Sequence, residues 1–108
     1  MVERLEIAWS KKFVHQLDGQ LNILYREKRF GSQQEVSVLA DKVYDFVIEN
    51  VEKGISTPEK YKEFGEKYIR YMVDDTNTWY IFFDQQQSRL LTTHLLNNSN
   101  SDIAEVLQ

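Results

Sequence analysis

The sequence predicts an α+β domain in which one strand and two helices precede a three-stranded antiparallel meander. One observation is that residues 67–98 contain three β-like segments, two of them rich in aromatic and branched residues, separated by polar turns. The other is that residues 10–54 show apolar positions at helical spacing, in two separate stretches. The predicted meander strands are residues 67–73, 78–84 and 89–96.

The polar connections within the meander, residues 74–77 and 85–88, are four residues long in this prediction. Connections of that length join antiparallel neighbours, because a parallel crossover needs about a dozen residues. We therefore expect the helices to cover one face of an antiparallel sheet. The other face should stay partly open, and a functional site would lie there.

The segment before the meander divides into a strand and two helices. Leu5, Ile7 and Trp9 alternate with polar or small residues, which predicts a half-buried strand that ends at Ser10. Ser10 is a suitable N-cap for the first helix, which should run to about Arg26. Its predicted buried positions are Phe13, Leu17, Leu21 and Leu24.

The second helix begins with the capping-box pair Ser32 and Glu35 and ends before Gly54. Residues 55–65 predict a loop with one short helical turn, and residues 103–107 predict a closing turn of helix. The predicted apolar stripe of the second helix is Val36, Leu39, Val43, Phe46, Val47 and Val51.

Composition limits the classes of function. A chain of 108 residues fits a single domain, residues 1–108. The absence of cysteine excludes thiol catalysis and cysteine-ligated zinc. The sequence has no apolar run of membrane-spanning length and begins with charged residues, which predicts a cytoplasmic protein without a membrane partner. The net charge of -4 argues against nucleic acid, since phosphate contacts need a basic surface.

Three segments carry a resemblance to a known family: EIAWSKKF (residues 6–13), EKYIRYMV (residues 66–73) and the WYIFFD and RLLTTHLLNN strands that end at Asn98. In their order and spacing they resemble the RelE/ParE toxin superfamily of bacterial type II toxin–antitoxin modules. The resemblance implies a toxin that is either a ribosome-dependent mRNA endonuclease or a DNA gyrase inhibitor. It also implies a cognate antitoxin protein as partner. Toxins of this family are commonly basic, whereas this chain is acidic.

The nuclease branch of the family implies metal-independent attack of a ribose 2'-hydroxyl on the adjacent phosphate. Arg70 occupies the position of the family's strand arginine and would bind phosphate, while His94 would act as acid or base and Tyr80 as donor. Lys67 and Arg89 would add positive charge for substrate binding. Each of these side chains has an ordinary alternative role: surface charge or ion pair for the cations, and packing for His94 and Tyr80.

The length of the first meander connection decides which candidates share a sheet face. An even connection places Arg70 with His94 and away from Tyr80, whereas an odd connection places Arg70 with Tyr80. The histidines His15 and His94 are not in metal-ligand spacing, and the glycines form no phosphate loop, so we expect no metal and no cofactor. The alternative function is a non-enzymatic interaction module with a toxin-like fold.

Overall fold

The computed structural model describes residues 6–27, 31–99 and 103–107 and confirms an α+β fold. Two short 3-10 helices, Val51–Lys53 and Glu59–Phe64, connect the main elements. No helix in the described ranges is long and apolar enough to cross a membrane. The strands and α-helices are β1 (Glu6–Trp9), α1 (Lys11–Arg26), α2 (Gln33–Asn50), β2 (Ile55–Ser56), β3 (Lys67–Met72), β4 (Thr78–Gln86), β5 (Arg89–Asn97) and α3 (Ile103–Val106).

The five strands form one sheet in the order β1-β5-β4-β3-β2. The antiparallel meander β3-β4-β5 is confirmed. The prediction of an antiparallel sheet was wrong for β1, which pairs parallel to β5, so the sheet is mixed. Because β1 and β5 are separated by both helices and by β2, β3 and β4, the connection between them is long enough to bring the chain back in the same direction. The predicted loop at residues 55–65 also contributes a strand, the two-residue β2, which pairs antiparallel to β3.

Both long helices begin at the predicted serine caps. The Ser10 Oγ accepts a hydrogen bond from the Phe13 N–H at 3.0 Å, and the Ser32 Oγ accepts one from the Glu35 N–H at 3.4 Å. The Glu35 carboxylate accepts from the Gly31 N–H at 2.8 Å, one residue before the position that a standard capping box uses. These side chains satisfy backbone donors that the first helical turns leave unpaired.

The main hydrophobic core lies between the two long helices and one face of the sheet. The predicted stripe of α1 is confirmed, since Phe13, Leu17, Leu21 and Leu24 are all buried. The sheet supplies six buried side chains to this core. They are Trp79, Ile81 and Phe83 from β4, Leu90 and Leu95 from β5, and Ile69 from β3.

Helix α1 also covers the part of β5 that extends beyond β1. The last residue of β1, Trp9, lies opposite Thr92, so the outer edge of β5 after Thr92 has no strand neighbour. The Gln16 side chain fills this gap by accepting a hydrogen bond from the Leu95 N–H at 2.7 Å. The side chains of Gln20 and Asn97 form a second hydrogen bond at 2.9 Å. Side chains of a helix therefore replace a missing strand along this edge.

The second face of the sheet, away from the long helices, is less open than expected. Tyr68, Tyr80 and Phe82 project from it and are buried under the 3-10 helix Glu59–Phe64 and under α3. The covering side chains are Tyr61, Phe64, Ile103, Val106 and Leu107. We call these covering residues the cap. A second, smaller core thus occupies the centre of the face that the sequence left open.

One buried hydroxyl has no hydrogen-bond partner among the described residues. Thr57 is only 3 % exposed and its Oγ1 has no such partner, whereas the Oγ1 of Thr92, which is also buried, donates to the Ala8 carbonyl at 3.2 Å. A buried hydroxyl without a partner costs free energy that an apolar isostere does not. The two threonines therefore form a matched pair for substitution by valine.

We expect Thr57→Val to raise the free energy of unfolding by about 1 kcal/mol and Thr92→Val to lower it by about 1 kcal/mol. Urea denaturation of the two variants beside the wild type measures both changes. A Thr57→Val variant that is clearly less stable than the wild type would show that the Thr57 hydroxyl does have a hydrogen-bond partner.

Candidate functional site

The first meander connection has an odd length and places Arg70 with Tyr80. Strand β3 ends at Met72 and β4 begins at Thr78, so the connection is residues 73–77 rather than the predicted residues 74–77. Arg70 consequently lies directly opposite Tyr80 in the ladder, and the two side chains share the second face. The sequence left open whether this connection has an even or an odd number of residues, and in the structure the number is odd.

The carboxylate of Asp74 organises this connection. Its Oδ1 accepts hydrogen bonds from the backbone N–H groups of Thr76 at 2.9 Å and Asn77 at 2.8 Å. The backbone N–H of Thr76 is the main reason that the pKa of Asp74 is lowered, and the Asn77 side chain adds to the effect. Hydrogen bonds to the charged carboxylate favour the ionised form and fix the turn that sets the register of β3 against β4.

The second meander connection is shorter than predicted. Strand β4 continues to Gln86 and β5 begins at Arg89, so the turn is Gln87 and Ser88 rather than residues 85–88. Gln87 has a φ of 55°, a left-handed conformation that glycine and asparagine normally supply. The side chain of Gln85 donates to the Gln87 carbonyl at 3.1 Å and supports the turn. Because the sequence has neither glycine nor asparagine there, a two-residue hairpin was not predicted.

A β-bulge in β5 determines the orientation of His94. Phe82 lies opposite His94, whereas the next residue of β4, Phe83, lies opposite Thr92. Thr93 is therefore the extra residue of the bulge. In a regular ladder from the same turn His94 would pair with Ile81 and face the helices, but the bulge moves it to the face of Phe82 and Tyr80. Arg70, Tyr80 and His94 therefore lie on one face of the sheet.

The carbonyl of Phe64 fixes the bulge. It accepts hydrogen bonds from the Thr93 Oγ1 and from the His94 Nδ1, the latter at 2.8 Å. A carbonyl can only accept, so the proton of the neutral imidazole is on Nδ1 and its Nε2 carries the lone pair. The rings of Phe64 and His94 also contact edge to face, with centroids 5.1 Å apart. His94 is thus a positioned imidazole with a defined tautomer.

Gly65 allows the 3-10 helix to approach the bulge this closely. A Cβ atom on Gly65 would lie 2.8 Å from the Phe83 nitrogen and 2.9 Å from both the Phe82 Cβ and the Thr93 Oγ1. The nearest of these atoms belongs to the backbone of a central strand and cannot move away cheaply. Any side chain at this position would separate the Phe64 carbonyl from Thr93 and His94.

The three candidate catalytic residues share a face but do not form an open cleft. Tyr80 is only 3 % exposed and is packed in the second core, although the sequence left its role open. Arg70 is exposed on β3, and His94 is half-buried on β5 against Phe64. The buried ring of Phe82 and the cap above it lie between these two strands.

The two predicted substrate-binding cations lie away from that cluster. The Arg89 Nε is 3.7 Å from a carboxylate oxygen of Glu6, and both side chains are exposed, so this is a weak surface ion pair. Lys67 is exposed at the start of β3, opposite Phe83 and next to Ser56 of β2. Neither side chain is on the part of the second face that carries Tyr80.

Two surface grooves formed by described residues lie away from Arg70, Tyr80 and His94, none of which lines them. One, of about 640 Å³, lies between the first half of α2 and the end of β3. The other, of about 480 Å³, lies at the β1 and β5 end of the sheet beside Arg89. The first groove was not predicted from the sequence. The available signal for it is Val38, an exposed apolar residue outside the α2 stripe. The apolar lining of this groove is Leu24, Val38, Leu39, Tyr71 and Val73.

The described residues contain no group of three or more histidine, cysteine, aspartate or glutamate side chains placed to hold a metal ion. Comparison of the sequence with family models, of the chain with curated proteins, and of the fold with solved structures found no match.

We expect Gly65→Ala to lower the free energy of unfolding by about 2 kcal/mol, because the new methyl group overlaps the bulge backbone. Gly19→Ala is the matched control, since a Cβ there meets no atom within 4 Å in the middle of α1. That control should raise the free energy of unfolding by about 0.5 kcal/mol through helix propensity. Thermal or urea unfolding measures both. Equal effects of the two substitutions would contradict the tight approach at Gly65.

Proposed function

We propose that this protein is the toxin of a bacterial toxin–antitoxin pair of the RelE/ParE type, and that it acts by binding a protein target. The resemblance offers DNA gyrase as the target of the non-nucleolytic branch. The observation that carries the proposal is the order of the elements. A strand, two long helices and an antiparallel meander follow one another here as the resemblance implies, with Arg70 on the first meander strand.

The geometry of the second face favours binding over catalysis. A nuclease needs its acid, base and cation around one exposed phosphate. Here Tyr80 is in the second core and the cap lies between the strands of Arg70 and His94. The net charge of -4 also disfavours a long RNA ligand. An exposed cation near exposed apolar side chains suits a protein surface better.

Metal-independent RNA cleavage is the second candidate, and the bulge at Thr93 is the observation that favours it. Bulges often re-aim a side chain next to an active site. This bulge places His94 on the face of Arg70 and Tyr80. Because the Nδ1 of His94 donates to the Phe64 carbonyl, the Nε2 of the same ring carries the lone pair. An imidazole in this tautomer can accept a proton from a ribose hydroxyl through its Nε2.

Induced expression of the wild type alone in a bacterial host should arrest growth. His94→Asn should arrest growth equally, because the asparagine amide can still donate to the Phe64 carbonyl while removing the acid–base group. Purified wild-type protein should inhibit DNA supercoiling by gyrase and leave mRNA intact in a translation extract.

Two outcomes would contradict parts of this proposal. Soluble wild-type protein that leaves growth unchanged would refute the toxin function. If the wild type arrests growth and cleaves mRNA, and folded His94→Asn does neither, the nuclease candidate replaces target binding as the mechanism.

A further inference from the structure

Strand β1 forms one margin of the sheet, and its backbone hydrogen bonds show which of its residues face β5. In the described ranges β1 is the last strand on this side and pairs with β5 alone. The Glu6 N–H donates to the Ser88 carbonyl at 2.8 Å, and the Ser10 N–H donates to the Thr92 carbonyl at 3.3 Å. Glu6, Ala8 and Ser10 therefore direct their backbone groups towards β5.

The alternate residues of β1, Ile7 and Trp9, direct their backbone N–H and C=O groups outwards. No strand in the described part of the chain lies on that side to pair with them. Both side chains are half-buried and pack against the margin of the main core. Outward backbone groups beside partly exposed apolar side chains are typical of an edge that accepts another strand.

The spacing of the two outward residues makes this edge self-complementary. Let two copies of β1 run antiparallel about a two-fold axis at Ala8. Ile7 of each copy then lies opposite Trp9 of the other, and each such pair exchanges both of its backbone hydrogen bonds. All outward backbone groups of Ile7 and Trp9 are used in this register. An unrelated strand gains no such symmetry from the spacing.

The side chains near the axis are compatible with close approach. Ala8 lies opposite its own copy in a pair without hydrogen bonds, where the Cα atoms are about 4.5 Å apart. Its exposed side chain is short enough for that distance. Leu91, which lies opposite Ala8 in β5, is 43 % exposed. Ala8 and Leu91 of both copies therefore form one continuous apolar row on the second face.

The charges at the ends of the paired strands are complementary. Glu6 is exposed and lies opposite Ser10 of the other copy in this register. The residue after Ser10 is Lys11, the exposed first residue of α1. The carboxylate of each copy is thus close to a cation of the other, and opposite charges across paired strands are stabilising.

We propose that β1 pairs antiparallel with β1 of a second copy of the chain, so that the two sheets become one continuous sheet. The backbone register, the apolar row and the end charges all fit under the same two-fold axis. The contact is short, and a contact smaller than a standard interface gives a weak dimer, with a dissociation constant on the order of 0.1 mM. This inference goes beyond the proposed function, because it concerns self-association and not the target.

The first test is disulfide cross-linking, for which the sequence without cysteine is suited. Ala8→Cys places two thiols at the axis, at a Cα separation that a disulfide accepts. Leu91→Cys is the matched control. It is also exposed on the second face, but its two copies would lie three strand spacings apart, about 14 Å, which is too far for a disulfide. With diamide as oxidant, Ala8→Cys should form covalent dimers about tenfold faster than Leu91→Cys.

The second test measures the reversible dimer by sedimentation velocity across protein concentrations around 0.1 mM. Ala8→Lys and Ala8→Glu each place like charges at the axis and should weaken self-association about fivefold. An equal mixture of the two variants should restore the dimer, because the charges at the axis are then opposite. Circular dichroism of each variant verifies that it is folded.

Three results would overturn the inference. One is a wild type that sediments as a monomer well above 0.1 mM. Another is equal cross-linking rates for Ala8→Cys and Leu91→Cys, which would place any self-association elsewhere on the surface. The third is a mixture of Ala8→Lys and Ala8→Glu that stays monomeric. Each readout uses purified protein, so failure here is distinct from failure to arrest growth.

Discussion

The paired hydrogen bonds to the Phe64 carbonyl are the interaction on which the second face of this protein depends. Thr93 and His94 both donate to that single oxygen, and Gly65 lets the carbonyl come close enough. Their effect is to hold one extra residue in β5, and that residue reverses which side chains of β5 face the helices. The side chains after the bulge then fit two cores at once: Leu95 enters the main core and Leu96 packs against the cap.

The two cores explain why the sheet tolerates such different coverage on its two faces. On the first face, two long amphipathic helices bury a continuous layer of side chains. At the edge of β5, Gln16 of α1 accepts a hydrogen bond from the Leu95 N–H, and Gln20 accepts one from the Asn97 side chain. On the second face, a 3-10 helix and a four-residue helix cover only the centre of the sheet. The margins of that face remain exposed, with Met72 at the β3 side and Leu91 at the β5 side. The exposed apolar surface of this face is therefore at the margins of the sheet.

Sequence patterns were sufficient for the helices, the meander and the main core, because serine caps and apolar periodicity report local geometry. They were insufficient for the parallel pairing of β1 and for the lengths of both turns, which depend on long-range contacts and on residues such as Gln87 that carry no turn signal. The bulge at Thr93 was not predicted either, since it is held by a carbonyl 29 residues away in sequence. The shared face of Arg70, Tyr80 and His94 follows from these unpredicted features, whereas the burial of Tyr80 follows from the cap.

The second face depends on the register that the bulge imposes between β4 and β5, and cross-strand Hα–Hα nuclear Overhauser effects measure that register directly. In the bulged ladder Ile81 lies opposite Leu95, in a pair whose backbone groups point away from each other and whose Hα atoms are close. We expect a strong effect between the Hα atoms of Ile81 and Leu95. A strong effect between Ile81 and His94 instead would mean a regular ladder, with His94 facing the helices, and would refute the bulge.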